Sequence, residues 1–169
     1  MAVKNPRALL ERLSATVEVD WLEFKVNNVH PTEIGETISA LANSAMLQDR
    51  DKAYIVFGVE DGTRNLVGTK TRLAKLKYGN EDFENWISRV LEPRLMIDFL
   101  DFEVDGLNFS IIVIEPTYDR PVRFNGCEYL RIGQNVKKLG EYAARMPASL
   151  LSVMIASIIY LIGLWRKLT

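Results

Sequence analysis

One cysteine and one histidine in 169 residues leave little room for thiol or imidazole chemistry. Cys127 has no partner for an internal disulfide, and a lone Cys with a lone His falls short of the usual zinc ligand sets. A reducing, cytoplasmic compartment fits that scarcity. An excess of one charge is also missing. The 21 Lys and Arg stand against 22 Asp and Glu, for a net charge of -1, which excludes a globally basic nucleic-acid coat. Internal repeats and low-complexity stretches are absent, and 48% hydrophobic residues exclude a disordered tail. Met1 to Ser14 interleaves charges with leucine, so no secretory signal is expected. A chain of this length is expected to fold as one globular domain and to bury roughly 70% of its unfolded surface.

A long hydrophobic run is present near the C-terminus. Ala148 to Trp165 carries no charge and lies between Arg145 and Arg166-Lys167. As a helix it is roughly 27 Å long, enough to cross a hydrocarbon core. Two readings stay open: a membrane span over 148–165 that tail-anchors a cytoplasmic domain, or an apolar terminal helix covered by protein. The expected division is a folded domain over 1–142 and an apolar C-terminal helix over 143–169.

Asn5 and Pro6 open a helical pattern with Leu9, Leu10 and Leu13 on one face. Val17 to Lys25 alternates as a strand and slips phase at Leu22, which predicts a bulge or bend near Trp21. Thr32 is expected to cap a helix through Ile34, Ile38, Leu41 and Ala45. Tyr54 to Val59 reads as a buried strand, with Leu66 to Gly68 as its return. Asn80 is expected to cap a helix through Phe83, Trp86, Ile87 and Val90 that stops before Pro93. Two hairpins follow, one turning at Asp105-Gly106 between Leu95–Val104 and Leu107–Glu115, the other at Asn125-Gly126 between Val122–Phe124 and Glu128–Ile132. The fold class is therefore α+β, a mixed sheet with two hairpins and packed helices.

Two constellations can carry chemistry. The first is acidic: Glu18, Glu23 within Glu23-Phe24-Lys25, and the pair Glu60-Asp61. Carboxylates at a sheet rim suit Mg²⁺ or Mn²⁺, and Lys25 can steady charge on a phosphate. On an ideal strand Glu18 and Glu23 face opposite sides, so only a bulge or a break brings them together. The second is basic and aromatic: Arg120, Arg123, Tyr129, Arg131, Lys137 and Lys138. On alternating strands Arg123, Tyr129 and Arg131 are expected to share a face that suits a phosphate backbone and a stacked base. Both sets have a plainer reading as solvated charges beside core strands. The run Gly62 to Lys70 is not a phosphate loop, because five residues separate its glycines and Thr precedes Lys. His30, before a proline, is read as a loop residue.

The words Glu18-Val-Asp-Trp-Leu-Glu23-Phe24-Lys25, Ile38-Ser-Ala-Leu-Ala-Asn43-Ser44, Phe57-Gly-Val-Glu-Asp61-Gly62, Val67-Gly-Thr69, and Arg120-Pro-Val-Arg-Phe-Asn-Gly126 with Glu128-Tyr-Leu-Arg-Ile-Gly133 resemble the Schlafen AlbA-like domain family, in order from about residue 5 to 142. Members are described as DNA-binding, ATP-binding or transcriptional-regulator proteins. The ATP label finds no phosphate loop in this chain. In nucleolytic Schlafen proteins two glutamates and a later aspartate form a metal-dependent RNA-cleaving site. By resemblance that pattern falls on Glu18, Glu23 and Asp61, with Glu60 as the alternative third member and Lys25 nearby. Two departures stand out. Ser44 to Asp49 occupies the place where many relatives carry a Gly-Gly pair, and the apolar stretch replaces a charged, proline-containing segment. The stretch is thus either an acquired anchor or the product of a truncated or rearranged frame.

Three functions follow as expectations. The first is a nucleic-acid-binding regulator, for DNA or RNA, acting through the basic set. The second is a divalent-metal endoribonuclease using Glu18, Glu23, Asp61 and Lys25. The third is a membrane-tethered interaction module without nucleic acid. Self-association stays open in all three.

Overall fold

The computed structural model describes residues 3–27 and 29–143. The apolar stretch 148–165 lies outside them; among the described residues no helix is long and apolar enough to cross a membrane.

Helix α1 (Pro6–Ser14) starts where expected, with the Ala8 N–H donating to the Asn5 side chain at 3.0 Å. It is followed by β1 (Leu22–Lys25), α2 (Pro31–Leu47), β2 (Ala53–Phe57), a 3₁₀ turn (Leu73–Lys75), β3 (Lys77–Tyr78) and β4 (Glu81–Asp82). Then come α3 (Phe83–Val90), β5 (Leu91–Glu92), β6 (Met96–Val104), β7 (Leu107–Glu115), β8 (Arg123–Phe124), β9 (Cys127–Ile132), β10 (Asn135–Lys138) and α4 (Leu139–Ala143). These strands form two four-stranded sheets, ordered β1-β2-β7-β6 and β10-β9-β8-β5, beside the small β3-β4 pair. The α+β class holds, but one mixed sheet is replaced by two.

Period-two alternation divides the first sheet's side chains between two cores. Tyr54, Val56, Ile111 and Val113 meet Leu9, Leu10 and Leu13 of α1. Ala53, Ile55, Phe57, Ile112 and Ile114 point the other way, onto α2, α3 and the second sheet. Helix α2 lies between the sheets, with eleven of its 17 residues buried, and that explains its run of small and polar residues. Gly35 is one of them: a Cβ there would sit 2.2 Å from Cε2 of Phe124, so its absence lets β8 approach the helix.

Both expected hairpins form. Asp105 and Gly106 have φ of 50° and 80°, and Asn125 and Gly126 have 48° and 76°, the paired positive values that suit tight hairpin turns. A third hairpin, β9 to β10, was not expected. Three local expectations are corrected. His30, not Thr32, is the N-cap residue of α2, because Pro31 already occupies its first turn. Asp82, not Asn80, precedes α3, since Asn80 belongs to the β3-β4 turn. The return strand at Leu66 is a single bridge to Val59.

Candidate functional site

The segment before β1 is not a continuous strand. Val19 bridges Leu22, whose N–H donates to the Val19 carbonyl at 2.9 Å across a turn at Asp20-Trp21. The chain doubles back there, and the Phe24 N–H reaches Oε1 of Glu18 at 3.3 Å. This is the break that lets Glu18 and Glu23 converge. On β1, Leu22 and Phe24 enter the α1 core, while Glu23 and Lys25 lie level with Ile55 and Phe57 on the face toward α2 and β9.

Arg131 enters from the opposite side. It shares the inward phase of β9 with Tyr129, and its backbone N–H donates to Oγ of Ser44 on α2 at 3.3 Å. Its Nη2 donates to Oε1 of Glu18 at 2.9 Å, Nη1 donates to Oε2 of Glu23, and Nε donates to the Gly133 carbonyl at 2.9 Å. The guanidinium side chain is only 1% exposed. Lys25 Nζ holds the other oxygen of Glu23 at 3.0 Å. A planar fork that satisfies two carboxylates at once suits arginine and not lysine. The result is a clamp that joins the edge strand of one sheet to the middle of the other.

Asp61 completes the group from the turn after β2. Burial raises the Glu18 pKa above the usual glutamate value, and a hydrogen bond from protonated Glu18 to Asp61 raises it further, against the opposing pull of Arg131. A raised folded-state pKa means the bound proton contributes stability below the ordinary glutamate range and loses it as pH rises through the raised value. A carboxyl NMR titration is expected to show Glu18 ionising above an ordinary glutamate. Asp61→Asn should move it part of the way back, leaving the contribution of burial. An unchanged midpoint in that variant would remove Asp61 from the group.

The resemblance implies a divalent metal at this place, and the residues as arranged do not fit one. Among the described residues no group of three or more His, Cys, Asp or Glu side chains is disposed to hold a metal ion. Arg131 and Lys25 already engage the Glu18 and Glu23 carboxylates. Glu60 stands apart from them, since its Oε2 accepts from Thr63 and Asn65 within its own turn.

The basic set does not form one surface. Tyr129 and Arg131 face inward, so neither presents itself to a ligand in solvent. The Tyr129 ring is 6% exposed beside Phe124, and its hydroxyl donates to Glu36 at 3.0 Å. Burial, with that bond, pushes its pKa up. Arg123 lies on the other face, because its cross-strand partner is Glu128, which it also engages at 2.8 Å. Lys137 is exposed and shares a rung with Leu130 on that outer face, whereas Lys138 pairs with Tyr129 in register and lies 3.7 Å from Glu141. Arg120 is exposed and holds its neighbour Asp119 at 3.0 Å.

Sequence reasoning passed over a stronger basic signal. Between Asp61 and Glu81 the chain carries Arg64, Lys70, Arg72, Lys75 and Lys77 and no carboxylate. That segment runs from the turn of Asp61 past Gly58 and Asn27, which follow β2 and β1, to Asn108 on β7 and Asp101 on β6. Its charge asymmetry is visible in the residues themselves.

Several solved structures are similar to the chain, two of them as follows. One is a protein from Corynebacterium diphtheriae, 16% identical with a TM-score of 0.44, the match covering 83% of this chain and 28% of that one. The other is the N-terminal domain of a RecG-related protein from Nitrosomonas europaea, 19% identical with a TM-score of 0.45, covering 79% of this chain and 92% of that one. This chain therefore spans less than a third of the first protein's length. No curated protein matches it. The family described as Schlafen, AlbA_2 matches residues 18–140, a span that contains α2, both sheets and every member of the Arg131 clamp, and the chain belongs to that family.

Proposed function

We propose that the domain binds nucleic acid through its phosphate backbone and that the Glu18-Glu23-Arg131 cluster holds the fold together. The observation that carries this reading is the acid-free basic segment between Asp61 and Glu81, five cations of which Lys77 alone is matched across the β3-β4 pair by Asp82, in a chain whose net charge is -1. A local field of one sign attracts a polyanion even when the whole protein is neutral. Family membership points the same way. Arg120, Arg123 and Lys137 remain as exposed outer contacts.

Backbone binding of this kind is strongly salt-dependent. Neutralising about four phosphates gives a slope of log K against log salt of about -3.6 on duplex DNA. Titration of the full chain with labelled single-stranded DNA, duplex DNA and structured RNA at rising salt should return a slope of that order, with little dependence on sequence. Failure to bind any of the three at about 50 mM salt, where phosphate contacts are strongest, would overturn the reading.

A second reading, a divalent-metal endoribonuclease, is favoured by one observation: Glu18, Glu23, Asp61 and Lys25 come into one network. It is opposed by Arg131, whose guanidinium already engages both Glu18 and Glu23. The same nucleic acids incubated with Mg²⁺ or Mn²⁺, or with EDTA, and run on denaturing gels, separate the two. Intact products support a binding domain, whereas cleavage that EDTA abolishes would establish the second reading. The tethered module without nucleic acid is what a complete absence of binding would leave.

A further inference from the structure

Arg72 is held in an unusual state. Its Nη2 donates to Oδ1 of Asn108 on β7, while Nη1 is buried and has no hydrogen-bond partner among the described residues. A buried charged donor without a partner is unfavourable and is seldom left so without a reason. Arg72 lines a groove of about 500 Å³ together with Lys70, Lys75 and Asn27, and no carboxylate is among the described residues lining it.

The scaffold around the groove is firmly made. Oδ1 of Asn27 accepts from the Lys70 N–H at 2.8 Å and from the Thr69 hydroxyl at 3.2 Å, tying the segment to the end of β1. Asp101 on β6 accepts from the Leu73 and Ala74 N–H groups at 3.0 and 2.9 Å, which caps the 3₁₀ turn, and from the Ser110 hydroxyl. Asp101 is thus committed to the backbone and to Ser110. A fixed backbone that presents Lys70, Arg72 and Lys75 along one groove, with Asp101 engaged elsewhere, suits an anion.

We infer that this groove is a phosphate-binding site in which the Arg72 guanidinium, held by Asn108 and uncompensated by a carboxylate in the groove, supplies a fixed positive charge and Lys70 and Lys75 supply the direct contacts. Three cations match a group with several charged oxygens better than a single carboxylate. The volume holds a phosphate with the sugar attached to it. The guanidinium contributes its charge from beneath the groove, and the two ammonium groups act as point charges around the phosphate. The inference deepens the nucleic-acid reading and rests on it for the source of the phosphate, although the seat itself is defined by the groove. A backbone phosphate and a small phosphorylated molecule share this chemistry, so the test separates them.

The full chain and its Lys70→Ala/Lys75→Ala variant are compared with two probes, inorganic phosphate and a short single-stranded oligonucleotide. Both lysines are exposed, so the variant is expected to fold as the parent does. Millimolar phosphate should raise the melting temperature of the parent beyond chloride at equal ionic strength, and not that of the variant. The oligonucleotide salt slope should fall in magnitude by about two in the variant. An oligonucleotide that binds both proteins with the same slope, with no phosphate effect on melting, would overturn the seat while leaving the nucleic-acid reading intact. Phosphate stabilisation lost in the variant, with no oligonucleotide binding to either protein, would establish the seat for a small phosphorylated molecule and overturn that reading. No response to either probe would overturn both.

Discussion

Arg131→Ala is expected to destabilise the domain by about 3–5 kcal/mol, because it leaves half-buried Glu18 without a cation and Glu23 with Lys25 alone. The melting temperature should fall by roughly 10 °C on a chain of this size. Denaturant unfolding of the parent and the variant measures it. The contribution of the pairs themselves comes from a cycle with Glu18→Gln/Glu23→Gln. If the carboxylates are what Arg131 compensates, removing it in that background should cost far less than in the parent. A loss below about 1 kcal/mol in the single variant would place the clamp among the weak surface pairs and remove its role in joining the sheets.

Asn43→Ala should have an effect of similar size by a different route. The Asn43 amide donates to the Val122 and Tyr129 carbonyls at 2.9 and 2.8 Å, and its oxygen accepts from the Val122 N–H at 2.7 Å. Ser39 adds a second donor to Val122 and accepts from the Tyr129 N–H, so α2 replaces a neighbouring strand along this part of the second sheet. Without Asn43 the buried Val122 N–H and Tyr129 carbonyl lose their partners, at about 1–3 kcal/mol each. Asn43→Asp is expected to be at least as damaging, since a carboxylate would face two carbonyl oxygens. Chemical unfolding curves check both, and a stable Asn43→Asp domain would show that the amide donors do not matter.

These two residues show where the sequence could be read and where it could not. The hairpins at Asp105-Gly106 and Asn125-Gly126 were legible because the turn chemistry is local. So was α1, through Asn5, Pro6 and three leucines. The word Ala42-Asn43-Ser44 marked the family but not its reason, since a buried asparagine that serves a distant strand has no local signature. Arg131 was placed correctly on the face of Tyr129, yet that face was taken to be the outer one. Its counter-charges lie 108 and 113 residues earlier, beyond any periodicity argument. Arg123 was assigned to the wrong face because the two-residue turn puts it opposite Glu128 and not Tyr129. The hairpin from β9 to β10 was not legible because β10 is four residues long and carries a single apolar residue, Val136. The convergence of Glu18 with Glu23 depended on a turn that a phase slip at Leu22 announced without defining its size.

The clamp also bears on the order in which the chain is made. Glu18 and Glu23 emerge early in synthesis, as does the polar seam of α2, and each waits for partners on β8 and β9. Until those strands appear, α2 would present Ser39, Asn43 and Ser44 with nothing to bond, and β1 would carry its carboxylates on an open edge. Contacts this distant in sequence close only after most of the chain is available, and they slow folding relative to local ones. The bonds that join the two sheets can close only once β9 is present.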